Sequence, residues 1–170
     1  MSDRALIPRG HVAAVLGDNI DTDIIFPGRY LNITDRTETA RHLFELAYPE
    51  LRASIRPGDL VVAAKNFGCG SSREQAAAAL KFAGVGAVVA ASFGRIFFRN
   101  AINLGLPAVV SACAAAQVSA GDELEIDLAG GSIRNLSSGL VIAAAPLDPR
   151  AVELIAAGGL IPYLKRKHAA

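Results

Sequence analysis

Between residues 60 and 110, three short, uninterrupted apolar runs alternate with two segments of helical length, and few architectures accept that order. The runs are Leu60-Val61-Val62-Ala63-Ala64, Ala87-Val88-Val89-Ala90 and Leu106-Pro107-Ala108-Val109-Val110. A strand that is apolar at successive positions has both faces covered, as in the sheets of α/β proteins. An Ala-rich helix opens at Ser71-Ser72-Arg73-Glu74, runs through Phe82 and is closed by Gly84; a second runs from Ser92 toward Asn103. The unit is βαβαβ.

Upstream, His11–Leu16 reads as a short buried strand that ends at the turn formers Gly17-Asp18-Asn19. Asp21-Thr22-Asp23 puts two carboxylates on a turn, Pro27 and Gly28 break the apolar run Ile24-Ile25-Phe26, and residues 29–36, without a period, form a loop. Between Thr37 and Ala47, the positions Ala40, Leu43, Phe44 and Ala47 recur at helical spacing, with Thr37 as N-cap. The last third changes character: Glu123–Leu128 alternates with period two, Gly130-Gly131 turns the chain, and Ile133 and Leu140-Val141-Ile142 supply further antiparallel strands. Asp148-Pro149 starts a final helix to about Ala157. With no internal repeat or linker, one α/β domain over 1–170 is expected, its mixed sheet adding antiparallel strands to the βαβαβ unit.

Composition narrows the function classes. Hydrophobic residues make up 52% and charged residues 19%, with a mean hydropathy of +0.35, so some apolar surface is expected to meet a partner subunit. Seventeen basic residues against 16 acidic give a net charge of +1, and Lys165-Arg166-Lys167, a solvated end, is the only cationic run. That balance argues against nucleic acid or a membrane surface as the target. Cys69 and Cys113 have neither zinc-site spacing nor the density of a disulfide scaffold, which fits a reducing cytoplasm. No apolar segment has the length of a membrane span or the flanks of a targeting signal, so a soluble, untargeted protein is expected.

The chemistry concentrates in Gly68-Cys69-Gly70-Ser71-Ser72-Arg73-Glu74. A glycine-rich turn between a buried strand and a helix N-terminus presents free N–H groups and the positive end of the helix dipole, which suits a carboxylate or phosphate. Ser71 and Glu74 also have capping-box spacing, which needs no ligand at all. The glycines, the second hydroxyl at Ser72 and the planar donor fork of Arg73 go beyond what capping requires and favour a bound carboxylate. A salt bridge from Arg73 to Glu74 is disfavoured because adjacent helix residues do not face one another. The segment lacks the Gly-Lys-Ser/Thr end of a Walker loop, and Arg73 stands where the third glycine of a dinucleotide fingerprint belongs, so nucleotide binding is disfavoured. Cys69 reads as a small hydrophobe rather than a nucleophile, and Asp21 and Asp23 are either turn formers or functional carboxylates.

Three ordered blocks, Gly17 to Pro27 (GDNIDTDIIFP), Asn66 to Glu74 (NFGCGSSRE) and Ser92 to Pro107 (SFGRIFFRNAINLGLP), closely resemble the small subunit of isopropylmalate isomerase, over nearly the whole chain from about residue 10 to Leu160. The resemblance implies a three-layer β/β/α swivelling domain like the last domain of aconitase. It also implies a large partner subunit, in a heterodimer or heterotetramer, whose cysteines hold a [4Fe-4S] cluster, while this chain binds no metal. Ser71 would then be the base that removes a carbon-bound proton, Ser72, Arg73 and Gly70 would hold a substrate carboxylate, and Asp23 would be an active-site aspartate. Two positions depart from part of the family. Gln75 stands where many members carry His, a difference found in the short branch. Asn32 replaces the Arg that homoaconitase-type members use for an extra carboxylate. An uncharged Asn32 between Leu31 and Ile33 suits an apolar isopropyl group, so isopropylmalate is favoured over homoaconitate, while a dehydratase for dimethylmalate or methylmalate would use the same residues. A non-catalytic carboxylate-binding domain and a Cys69-dependent hydrolase are the readings from other classes; His11, His42 and His168 give the latter no sequence support.

Overall fold

A computed structural model describes residues 6–169. The chain opens with strand β1 (Arg9–Leu16), a helical turn α1 (Thr22–Ile25), a 3-10 turn at Gly28–Tyr30, and the short helices α2 (Arg36–Arg41) and α3 (Pro49–Ser54). Then come β2 (Leu60–Ala63), α4 (Glu74–Phe82), β3 (Ala87–Ala90), α5 (Arg95–Asn103), β4 (Ala108–Val110) and α6 (Ala114–Gln117). The antiparallel part is β5 (Glu123–Asp127), β6 (Ser132–Asn135) and β7 (Val141–Ala143), followed by α7 (Pro149–Ala157) and α8 (Leu160–Ala169).

All seven strands form one mixed sheet in the order β4-β3-β2-β1-β5-β6-β7. The β2 and β3 residues are all buried, as their unbroken apolar character requires. β1 joins the two halves: its C-terminal part runs parallel to β2 (Val12 opposite Leu60, Leu16 opposite Ala63), and Arg9–His11 runs antiparallel to β5, with an irregularity between Val12 and Ala14. β4 and β7 are opposite edges in sheet order, yet Ser111 Oγ donates to Ala143 O at 2.7 Å and Ala145 N to Val110 O at 2.8 Å. The sheet therefore curls until its ends meet, which lays the antiparallel half over the parallel half. The resulting core runs without a break from Val12 to Ile155, and the helices α4, α5 and α7 add the outer layer of the expected β/β/α arrangement.

Several local expectations need correcting. The helix expected over Thr37–Ala47 is α2, capped two residues earlier by Asp35, whose Oδ1 accepts from Glu38 N at 2.8 Å. It stops at His42 because Phe44 takes a left-handed φ of +56°; that turn sends the ring fully into the core and lets Phe44 N donate to Ile25 O. Burial of Leu43 and Phe44 outweighs two more turns of exposed helix. α5 begins at Arg95 rather than Ser92, whose hydroxyl instead accepts from Asn66 N. The cationic run Lys165–Lys167 is solvent-exposed as expected, and it lies within a helix, α8, that was not expected.

Candidate active site

The three sequence blocks are the three loops that leave the C-terminal ends of β1, β2 and β3, which are neighbours in the sheet. Ligands in open α/β sheets collect outside those strand ends. The hydrogen-bond ladder does not stop where the strands do. Asn19 N donates to Lys65 O, Gly68 N to Ile20 O and Thr22 N to Cys69 O; on the other side Phe67 N donates to Ser92 O and Gly94 N to Phe67 O, all at 2.7–3.0 Å. The residues around the chemistry are thus held in a common register by main-chain bonds.

Two glycines shape the central turn. Gly68 (φ +76°) and Gly70 (φ +90°) occupy backbone conformations that L side chains rarely adopt. A β-carbon at Gly68 would lie 2.2 Å from Cγ of Phe97, whose buried ring packs edge-on against Phe67 (centroids 5.3 Å apart) and forms the floor under the turn. Gly94 closes the far side: a β-carbon there would meet Gly68 O at 2.5 Å.

Helix α4 begins only at Glu74, with Arg73 at the N-cap and no side-chain cap. The Ser71–Glu74 capping box is not formed. Ser71 and Ser72 are exposed on the turn ahead of the helix, and the Ser71 carbonyl is fixed by a 3.0 Å bond from the buried Thr22 hydroxyl. Neither hydroxyl is spent on ending the helix.

The two aspartates of the first block divide the work. Asp21 caps α1, its Oδ1 accepting from Asp23 N and Ile24 N at 2.9 and 2.8 Å. Asp23 turns to Arg73: its Oδ1 accepts from Arg73 Nη1 at 2.6 Å and from Gly28 N at 2.8 Å. Arg73's hydrogen bond first, and the Gly28 amide second, hold the Asp23 carboxyl below its usual range. With the Asp23 side chain 58% exposed and that of Arg73 18% exposed, the pair adds little to stability; it aims the guanidinium. Nη1 also reaches Phe26 O at 3.4 Å, so Nη2 and Nε remain as donors for a carboxylate. Gly28 is a site residue that sequence reasoning missed. A β-carbon there would stand 3.0 Å from Arg73 Nη2; its only signal was a glycine five residues beyond Asp23.

Of the loop positions, Leu31 and Asn32 are exposed and Ile33 is half-buried. The loop touches the first turn of α4 through Gln75 Nε2, which donates to Leu31 O at 3.3 Å. Asp23, Gly70, Ser71, Ser72 and Arg73 are thus brought to one sheet end, with the Leu31–Ile33 loop touching the start of α4 through Gln75. A cavity of about 280 Å³ opens between residues 68–71 and the start of α5 at Gly94, Arg95 and Ile96. A larger recess of about 360 Å³ lies at the opposite ends of the strands, beside Lys81, Gly58 and Gly86, and contains none of these residues. Among the described residues no group of three or more His, Cys, Asp or Glu side chains is arranged to hold a metal ion, and no helix is long and apolar enough to cross a membrane.

The arrangement offers a carboxylate fork, two free hydroxyls and a helix N-terminus on one rigid turn. The 3-isopropylmalate dehydratase small subunit of Moorella thermoacetica is 58% identical over 151 residues, covering 89% of this chain and 91% of that one. This chain belongs to the family of 3-isopropylmalate dehydratase small subunits. The profile of the aconitase C-terminal domain matches residues 52–112, which include the turn and both helices of the βαβαβ unit. The methanogen homoaconitase small subunit of Methanothermobacter thermautotrophicus is 51% identical over 150 residues, covering 88% of this chain and 86% of that one. The crystal structure of a 3-isopropylmalate dehydratase from Methanocaldococcus jannaschii superposes with a TM-score of 0.89 over 96% of each chain at 41% identity. The swivel-domain fold of the aconitase superfamily is thereby shared.

Proposed function

We propose that this chain is the small subunit of a hydro-lyase that interconverts 2- and 3-isopropylmalate by loss and return of water, moving as one swivelling domain against a large subunit that carries a [4Fe-4S] cluster. The observation that carries the proposal is the exposed Ser71-Ser72-Arg73 turn, with Arg73 aimed by Asp23, in a chain 58% identical to a subunit of that name. A heterodimer and a heterotetramer both accommodate it. The two free thiols, Cys69 half-buried and Cys113 exposed, suit a reducing cytoplasm.

Substrate binding begins at Arg73, whose free Nη2 and Nε take one malate carboxylate in a forked pair while Asp23 keeps the guanidinium from swinging away. The Ser72 hydroxyl and the Gly70 main chain complete that carboxylate's shell. Ser71 Oγ then accepts the proton from the carbon adjacent to the carboxylate. A serine hydroxyl is too weak an acid to serve as a base unaided; the Arg73 cation and the uncapped N–H groups of α4 lower the cost of its oxyanion. A [4Fe-4S] cluster, when bound by the partner, would provide Lewis acidity toward the substrate hydroxyl. Leu31, Asn32 and Ile33 face the branch carbon: an isopropyl group needs no counter-ion there, whereas homoaconitate would bring a third carboxylate beside an uncharged Asn32.

Anaerobic turnover of 2- and 3-isopropylmalate, homoaconitate and methylated malates by this chain mixed with its cluster-loaded large subunit tests the proposal. Activity only in the mixture, greatest on the isopropylmalates, is expected. Ser71→Ala should abolish turnover with assembly intact, and Arg73→Lys should chiefly raise KM. Silence on every malate, with the cluster spectroscopically intact, would leave the chain a carboxylate-binding domain.

A further inference from the structure

Away from the turn lies a cluster of polar side chains that the proposed chemistry does not use. The Glu45 carboxylate collects three donors: Arg29 Nη2 at 3.2 Å and Tyr30 Oη at 3.0 Å on one oxygen, and His42 Nδ1 at 2.5 Å on the other. The Tyr30 ring lies flat on His42, with centroids 3.6 Å apart and planes 17° from parallel, and meets Phe26 edge-on at 6.3 Å. Arg29 covers the same ring, its guanidinium carbon 4.8 Å from the centroid.

We infer that Glu45 is a positioning residue for substrate selection: by gripping Tyr30 it fixes the stem of the Leu31–Ile33 loop beside the substrate's branch carbon. This inference rests on the function proposed above. Tyr30 directly precedes Leu31, which is otherwise tied to the site by two 3.3 Å bonds, one that its N–H donates to Gly28 O and one that its carbonyl accepts from Gln75. Two long bonds at an exposed residue do not by themselves hold a loop. The parts of the clasp are not equal. The Arg29–Glu45 pair, with side chains 57% and 33% exposed, contributes little, so the Tyr30 hydroxyl bond and the stack on His42 supply most of the grip. Because the loop touches the substrate's unreacting branch, its displacement weakens ground-state and transition-state binding alike.

Two measurements on Glu45→Ala, Glu45→Gln and Tyr30→Phe test this. In the full-length isolated chain, amide hydrogen exchange is followed at Leu31 and Ile33, whose N–H groups donate to Gly28 O and Tyr30 O. Glu45→Ala should speed exchange at both by roughly tenfold while core strands are unchanged, and Tyr30→Phe should do so less strongly. Glu45→Gln, which keeps an acceptor for the tyrosine, should restore much of the protection. In the assembled enzyme, Glu45→Ala should raise KM for 3-isopropylmalate roughly tenfold with kcat nearly intact, and barely change that for methylmalate, whose branch is short. Unchanged exchange at Leu31 and Ile33 in both Glu45→Ala and Tyr30→Phe, or an unchanged ratio of the two substrates, overturns the inference. If the wild-type assembly turns over no malate, the functional proposal fails instead, and the exchange data still decide whether the clasp holds the loop.

Discussion

Replacing Gly94 by Ala isolates one steric contact and tests whether the site depends on the fixed spacing of its loops. Gly94 has φ −59° and ψ 130°, values any residue adopts, so alanine brings no backbone strain of its own. Its β-carbon, however, would sit 2.5 Å from Gly68 O, 2.9 Å from Gly68 C and 3.2 Å from Cys69 Cα. These are main-chain atoms, and no rotamer change relieves them. Reaching the 3.0 Å below which such contacts essentially never occur requires a shift of about 0.5 Å, and ordinary contact at 3.4 Å requires about 0.9 Å. The turn that carries Ser71 must move by that amount. Overpacking of this kind costs about 1–3 kcal/mol, and a displacement approaching 1 Å at reacting groups costs on the order of 10–100-fold in rate. Urea denaturation of the isolated chain reads the first, and turnover by the reconstituted enzyme the second. Gly17→Ala, whose added carbon meets nothing within 4 Å, is the matched control and should change neither. If Gly94→Ala retained wild-type stability and turnover within about threefold, the tight seating of the second loop on the third would not matter to the chemistry.

Two further outcomes concern the Asp23–Arg73 pair. Because the Asp23 carboxyl is held below its usual range, the pair's contribution is complete above the pKa of an unfolded aspartate and is lost only as pH falls through the lower folded value. Carbon-detected NMR titration should therefore show Asp23 ionising below the ordinary carboxylate range, and Arg73→Gln should raise it toward that range while the Gly28 amide keeps part of the shift; no change on Arg73→Gln would contradict the cause. Gly28→Ala would press a β-carbon to 3.0 Å from Arg73 Nη2, and the guanidinium, at the end of a flexible side chain, can yield. Stability should move by less than about 0.5 kcal/mol, while KM rises as the fork is pushed off its aim; a lowered kcat with unchanged KM would place the defect elsewhere.

The sequence carried the parallel half of the fold because β2 and β3 are unbroken apolar runs with glycine-rich ends, a pattern that leaves little choice. Its antiparallel half was equally legible from the alternation in Glu123–Asp127. The curl that joins the two edges was not, since it depends on contacts between Val110–Ser111 and Ala143–Ala145, which have no local signature. Helix ends were least legible around residues 35–47. There the 3.6-residue spacing of Ala40, Leu43 and Phe44 describes a buried face correctly, but the left-handed Phe44 builds that face without a helix. In the site, Ser71, Ser72 and Arg73 were found from composition and resemblance together. The separate duties of Asp21 and Asp23 were hidden, because two carboxylates one residue apart look alike until one of them caps a helix.

The ladder that continues past the strand ends constrains how the gene for such a chain can drift. An added or deleted residue between Leu16 and Thr22, between Ala63 and Ser71, or between Ala90 and Gly94 would slide one loop against the loop or loops bonded to it, breaking main-chain bonds together and shifting the register of the site. Length changes in those spans should be purged, however mild each substitution there is. After Thr22 the chain leaves the ladder, and the stretch from Leu31 to Asp35 can lengthen or shorten at the cost of its own turns and the bond from Gln75. New substrate preferences would therefore arise there by indel, while the reacting turn keeps its count.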